Sequence, residues 1–246
     1  MKLPKPSLAR FFGGPPGAHA LLGRHEWPLA APFAFGMLTL NWVVLMLRQV
    51  PCMRGENRYT SMCYTDLVAL FQTRDWANDS VSFISNQLEY PVLTGVLIDA
   101  LRKVQQWLTP VGAQDAAASD IFFGVNAVVL FALLLVMVGA HLRLSRPGDA
   151  MLIACSPAIL TAGLINWDAL AMALVALGLL AWARRHPLLA GALIGLGAAA
   201  KLYPLLLLVP LVVLCLRANR LNECALAVGG AILAWLAVNA PVYFLN

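Results

Sequence analysis

Four charged side chains interrupt the apolar stretches of this chain, at breaks where a plain connector would need no charge. A carboxylate can take a proton from an attacking hydroxyl, and a lone ammonium can bind a phosphate as a point charge. These residue types therefore predict group transfer involving a phosphate. They lie in the segments Cys63-Tyr-Thr-Asp66, Leu88-Glu89-Tyr90-Pro-Val-Leu-Thr-Gly95, Ile165-Asn-Trp-Asp168 and Gly195-Leu-Gly-Ala-Ala-Ala-Lys201-Leu-Tyr203-Pro204.

Each of these groups also has a plainer explanation. Asp66 and Asp168 could each complement the dipole in the first turn of a helix. Glu89, held extended before Tyr90-Pro91, could be a solvated loop acid. Lys201 could reach from an apolar helix to the membrane interface. We favour function for Asp66, Asp168 and Lys201, and the sequence leaves Glu89 open.

The composition predicts an all-α, multi-span membrane protein. Apolar residues make up 61% of the 246 positions and charged residues 12%, and the mean hydropathy is +0.76. A soluble domain averages about 45–50% apolar and about 25% charged residues. Seven apolar runs are near or below the roughly 20 residues that a spanning helix requires. They cover residues 28–47, 121–142, 150–164, 169–183, 188–200, 203–216 and 224–244.

The placement of charge predicts the topology. If the Pro/Gly-rich residues 1–27 form a disordered cytoplasmic tail, about seven spans place all three arginine pairs inside, as the positive-inside rule requires. Residues 28–246 then form one transmembrane domain in the plasma membrane, and the loop 50–120 lies outside with Asp66, Glu89, Asp168 and Lys201. No basic patch interleaved with aromatic residues predicts a nucleic-acid partner. The arginine pairs are Arg143/Arg146, Arg184/Arg185 and Arg217/Arg220.

The external loop is expected to contain two amphipathic helices and a disulfide. Thr65 followed by Asp66 and an apolar stretch predicts a capped helix start, and a second helix follows Pro91. Both are expected to lie flat on the bilayer with their apolar faces down. Cys52 and Cys63 lie in the oxidising compartment, where a disulfide can persist, although two unpaired thiols remain the alternative.

The residues together suggest a lipid-linked phosphosugar as donor, with its tail between helices and its phosphate near Lys201. Asp66 is the expected base that takes the proton from a lipid or glycan acceptor, and one-step displacement would invert the anomeric centre. We expect Glu89, Tyr90, Asp168, Lys201 and Tyr203 to bind substrate. No cofactor other than the donor is expected. No metal site is expected either, because Asp75 and Asp79 lack a third ligand.

The four segments, in this order, resemble those of glycosyltransferase family 87, multi-span enzymes of the GT-C class. The resemblance implies an acid in the first external loop as catalytic base, which corresponds to Asp66, and a lysine turn near the donor phosphate, which corresponds to Lys201. It also implies a polyprenyl-phosphate sugar, most often mannose, as donor for cell-envelope glycan assembly.

Members of that family usually continue through several more spans, so the sequence is expected to correspond to an N-terminal portion. A membrane-protein partner would then supply the missing helices. Two other readings stay open: a non-catalytic membrane subunit or truncated homologue, and a transporter of lipid-linked glycans. A transporter would usually show internal repeats, and none is evident here.

Overall fold

The computed structural model describes residues 29–52, 59–61, 63–74, 76, 88–112, 114–144 and 147–245. All regular structure within these ranges is helical, which confirms the all-α prediction. The predicted tail, residues 1–27, lies outside the described residues. The helices are α1 (Ala30–Cys52), α2 (Asp66–Thr73), α3 (Val92–Leu108), α4 (Asp115–Leu144), α5 (Pro147–Ala154), α6 (Pro157–Ala162), α7 (Asp168–Ala183), α8 (Pro187–Ala200), α9 (Leu208–Arg217) and α10 (Leu221–Leu245), with a 3-10 helix at Tyr203–Leu207 before α9.

Within the described ranges, three helices are long and apolar enough to cross a membrane: Ala30–Pro51, Asp115–Leu144 and Leu221–Phe244. The other four predicted spans also fold as apolar helices but are shorter, so the count of seven spans stays a prediction. The run 150–164 is broken into α5 and α6. Pro157 explains the break, because it lacks an N–H and disfavours helical geometry at the preceding Ser156, which caps α6 instead.

Helix α4 is longer than a bilayer is thick. Its 30 residues extend over about 45 Å, against about 30 Å for the hydrocarbon core. Asn126 of α4 is hydrogen-bonded to Trp167, the residue before α7, and so lies close to the start of that helix. The part from Asn126 to Leu144 covers about 27 Å, close to the membrane thickness. Helix α4 is therefore long enough to extend beyond the membrane, and in its first third Phe122 stacks on Phe71 of α2.

Small residues allow α7, α8 and α10 to pack closely on one another in a row. Helix α7 packs against both α4 and α8, and α8 packs along α10. At the last contact Gly191 and Gly195 of α8 face the main chain of Ala227 and Ala231 in α10. A β-carbon on Gly191 would lie 1.9 Å from the Ala227 carbonyl oxygen, so only glycine permits this approach. Such spacing of small residues is typical of membrane helix pairs.

Of the two amphipathic helices of the loop, α2 does not present its apolar face to the bilayer as the sequence analysis expected. Leu67, Val68 and Phe71 of α2 are buried in the protein core, not presented to lipid. Helix α3 buries the apolar Ile98 and Leu101, and it also buries the polar side chains of Thr94, Arg102 and Gln105. Its exposed face includes Val96, Val104 and Trp107, and the expectation that this face lies on the bilayer stays a prediction.

Candidate active site

Asp66 is held in place by its own backbone and by the residue before it. The Asp66 N–H donates to the carbonyl of Ile165 at 2.8 Å, and the buried Thr65 hydroxyl donates to the carbonyl of Leu164 at 2.5 Å. Thr65 also caps α2 as predicted, because its Oγ1 accepts from the Leu67 N–H. The start of α2 is thereby bonded to the segment between α6 and α7, far along the chain.

The carboxylate of Asp66 accepts a hydrogen bond from Tyr90. The Tyr90 hydroxyl donates to Asp66 Oδ2 at 2.5 Å. Burial raises the pKa of the Tyr90 phenol above its ordinary value, and the hydrogen bond and negative charge of Asp66 raise it further, as does Asp168. Tyr90 is therefore a neutral phenol that donates its proton. Among the described residues no hydrogen bond reaches Asp66 Oδ1, so that oxygen is left for another partner.

Tyr90 is itself fixed by a buried pair. Its ring meets the Trp167 ring edge-on, with centroids 5.1 Å apart and planes at 84°. The Trp167 Nε1–H donates to Asn126 Oδ1 at 2.7 Å, and the Asn126 amide donates to the Phe122 carbonyl. Asn126 is fully buried in α4. The polar groups of this pair are thus satisfied inside an apolar helix bundle, as buried polar groups require.

Asp168 and Lys201 form an ion pair where α7 begins and α8 ends. The Lys201 ammonium donates to Asp168 Oδ1, and each side chain is 39% exposed. Asn166 accepts a hydrogen bond from the Asp168 N–H at 3.0 Å, and Thr94 donates to the carbonyl of Ala200 at 2.7 Å. Both charged residues are therefore held from the backbone side.

The ion pair leaves part of Lys201 available. An ammonium has three N–H donors, and Asp168 uses one of them. An exposed surface pair would contribute about 0–1 kcal/mol to stability, so stability alone is a weak reason for this pair. Its geometry instead directs a lysine that would otherwise be flexible.

A groove of about 780 Å³ runs from this ion pair along the helices. Asp168 and Tyr203 line it at one end, and His141 of α4 lines it at the other, with apolar side chains between. On α4 the residues that line the groove run from Leu134 to His141, which corresponds to about 10 Å along the helix. Its apolar walls include Leu134, Met137, Ile159 and Met172.

Glu89 is not brought to this cluster. Its side chain is 72% exposed and pairs with Arg74, with Nη2 2.8 Å from Oε1. Its neighbour Tyr90 contacts Asp66, so adjacent residues of one segment have different surroundings. The role expected for Glu89 in binding substrate stays a prediction.

Cys63 ties the Asp66 segment to α1. It is disulfide-bonded and buried, and its carbonyl accepts from the buried Gln49 side chain at 2.5 Å. Cys155, Cys215 and Cys224 are free. The side chain of Cys52 lies outside the described part of the chain, and the bridge between Cys52 and Cys63 stays a prediction.

Asp75 and Asp79 lie outside the described residues as well. The described residues hold no cluster of three His, Cys, Asp or Glu side chains placed for a metal.

Sequence reasoning did not single out Thr94, Trp167 or Asn126 as parts of the site. A signal exists for Asn126, because it is a lone amide in the middle of the apolar run 121–142. A polar residue inside a membrane helix usually bonds to a neighbouring helix. Thr94 carries no such signal, since a threonine in an amphipathic helix is ordinary.

Comparison with known proteins identifies a family for this chain. A family model described as "Glycosyltransferase family 87" matches residues 90–246, which is more than half of the chain. The matched residues include Tyr90, Asp168 and Lys201, and Asp66 precedes them. No curated protein and no solved structure gives a match. With its apolar helices and its polar cluster at one end of a groove, the chain belongs to glycosyltransferase family 87, a family of membrane glycosyltransferases.

Proposed function

We propose that this glycosyltransferase moves a hexose, mannose in the first instance, from a polyprenyl phosphate to a lipid or glycan acceptor on the extracytoplasmic face of the plasma membrane. The observation that carries the proposal is the convergence of Asp66, Tyr90, Asp168 and Lys201 near the mouth of an apolar groove. Tyr90 contacts Asp66 directly and feels the charge of Asp168, and Asp168 contacts Lys201.

The groove suits the donor. A polyprenyl chain needs an apolar path among the helices, and the walls of the groove are mostly apolar side chains, among them Leu134 and Met137 of α4. Its volume of about 780 Å³ is within the range of sites that enclose small molecules. The phosphate would then lie at the polar end beside Asp168, whose partner Lys201 keeps two further N–H donors for an anion.

The proposed reaction is a single displacement. Asp66 Oδ1 takes the proton of the acceptor hydroxyl as the acceptor oxygen bonds to the anomeric carbon. The bond between that carbon and the phosphate oxygen breaks, and polyprenyl phosphate leaves with the electron pair. Phosphate is already a good leaving group, so no strong general acid is required. Attack opposite to the leaving group inverts the anomeric centre.

The proposal is tested by transfer from a labelled polyprenyl-phosphate-mannose in membranes that contain this chain, beside the variant Asp66→Asn at matched expression. The variant keeps the shape and the Tyr90 contact but removes the base. We expect transfer by the wild type and a loss of about 10²–10⁴-fold in the variant, the range for a general base. Product analysis by NMR is expected to show the inverted anomer.

Each other result has a definite meaning. Equal transfer by both proteins would leave the glycosyltransferase and refute Asp66 as the base. Transfer from a nucleotide sugar but not from the polyprenyl phosphate would refute the donor class. Failure of the wild type with every donor and acceptor would support a non-catalytic membrane subunit instead.

A further inference from the structure

Tyr90 occupies a position that differs from that of a substrate-binding residue. Its hydroxyl is already used on Asp66 Oδ2 at 2.5 Å, and its ring is set edge-on against the buried Trp167. It is not among the residues that line the groove. A side chain with both its polar group and its ring engaged by protein has little left to offer a sugar.

The same contacts define how the Asp66 carboxylate is oriented. A carboxylate is free to rotate about its last bond, and that torsion is broad. A hydrogen bond to one oxygen removes this freedom and fixes where the second oxygen points. The backbone of Asp66 is fixed independently through Ile165, so the contact with Tyr90 restrains the side-chain torsion and not the position of the backbone.

The restraint on Tyr90 continues into the helix bundle. Trp167 donates to Asn126, which is fully buried in α4. Asn126 in turn is bonded to the carbonyl of Phe122 in the same helix. The side-chain torsion of Asp66 is thus restrained by α4, the longest of the described helices, through two aromatic rings and one amide.

We infer that Tyr90, braced by Trp167 and Asn126, is a positioning residue that aims Asp66 Oδ1 at the acceptor hydroxyl. The inference rests on the proposed function, because it needs Asp66 to be the base. It assigns Tyr90 an effect on the rate of the chemical step and none on the binding of donor or acceptor. Misplacing a reacting group by about 1 Å can lower a rate by about 10²-fold.

The test compares Tyr90→Phe with the matched control Tyr243→Phe in the full chain reconstituted in lipid nanodiscs. Phenylalanine keeps the ring against Trp167 and removes only the hydroxyl. Tyr243 is exposed near the end of α10 and contacts Phe244. We expect Tyr90→Phe to lower kcat by about 10–100-fold and to change KM for donor and acceptor by less than about threefold. Tyr243→Phe is expected to behave as the wild type.

Two further variants keep the test from depending on the result for Tyr90→Phe alone. Trp167→Phe keeps an aromatic edge but loses the bond to Asn126, so its kcat is expected to fall between those of the wild type and Tyr90→Phe, again with KM unchanged. In an Asp66→Asn background, Tyr90→Phe is expected to cause no further loss, because the group that it aims is gone.

The outcomes separate this inference from the proposed function. An increase of about tenfold in KM with unchanged kcat would show that Tyr90 binds substrate and would overturn the inference. Wild-type kcat in Tyr90→Phe would overturn it too, and would leave Asp66 as the base. Absence of transfer by the wild type would refute the proposed function, and the inference would fall with it.

Discussion

The close packing of α8 on α10 leads to a sharp prediction about single methyl groups. A β-carbon added at Gly195 would lie 2.2 Å from the Ala231 carbonyl oxygen, and one added at Gly191 would lie 1.9 Å from that of Ala227. Favourable contacts begin near 3.5 Å, so the two helices would have to separate by more than about 1 Å. The obstacle is helical backbone, which cannot rotate away as a side chain can.

We expect Gly191→Ala and Gly195→Ala each to destabilise the protein by about 1–3 kcal/mol, the range measured for overpacking. Gly229→Ala is the matched control. It lies on α10 in the same region, and a β-carbon there meets no atom within 4 Å. Alanine is also the better helix former by about 1 kcal/mol, so the control is expected to be neutral or slightly stabilised.

The assay is thermal unfolding in one detergent, followed by circular dichroism. Sugar transfer is measured beside it, because α8 ends next to Lys201 and a displaced α8 would move the lysine away from Asp168. Unfolding temperatures of Gly191→Ala and Gly195→Ala that equal that of Gly229→Ala would refute the close contact of α8 with α10. Unfolding at lower temperature with unchanged transfer would instead refute the coupling of this contact to the active site.

Two further predictions concern the lysine and the cysteines. Lys201→Gln is expected to raise KM for a polyprenyl-phosphate sugar by about tenfold or more, since it removes a charge that binds phosphate. The control Lys103→Gln loses only an exposed pair with Asp99 and is expected to keep the wild-type KM. Equal KM values for the two variants would refute phosphate binding by Lys201. Alkylation of the denatured, unreduced protein is expected to label three cysteines, those that the structure shows free. Reduction before alkylation is expected to raise the number of labelled cysteines to five. Five labelled thiols without reduction would contradict the disulfide at Cys63.

Much of the helical framework could be predicted from the sequence, because apolar composition and helix ends are local signals. The start of α2 is an example, since a threonine followed by an acid and then apolar residues is enough to predict the cap at Thr65. The division of the run 150–164 into α5 and α6 is harder to predict than the start of α2. The length of an apolar run does not reveal that a Ser-Pro pair in its middle ends one helix and begins another.

The surroundings of the candidate site could be predicted only in part. The sequence singled out Asp66, Asp168 and Lys201, but not that Lys201 binds Asp168 or that Tyr90 binds Asp66. Such pairs depend on how helices cross, and the sequence holds no local sign of that. For the same reason the sequence did not predict that α3 would bury polar side chains. Thr94 is buried there because its hydroxyl reaches the Ala200 carbonyl of another helix.

The bonds that anchor Asp66 have a consequence for how the protein is made. Asp66 is bonded to Ile165, and Thr94 to Ala200, so partners about a hundred residues apart in the chain must meet. A chain emerging from the ribosome at about 5–20 residues per second exposes Asp66 several seconds before Ile165 is available to hold it. The backbone of Asp66 can therefore reach its final position only after Ile165 has been synthesised, and the pair of Asp168 with Lys201 only after α8, so the candidate active site forms well after its first residue has been made.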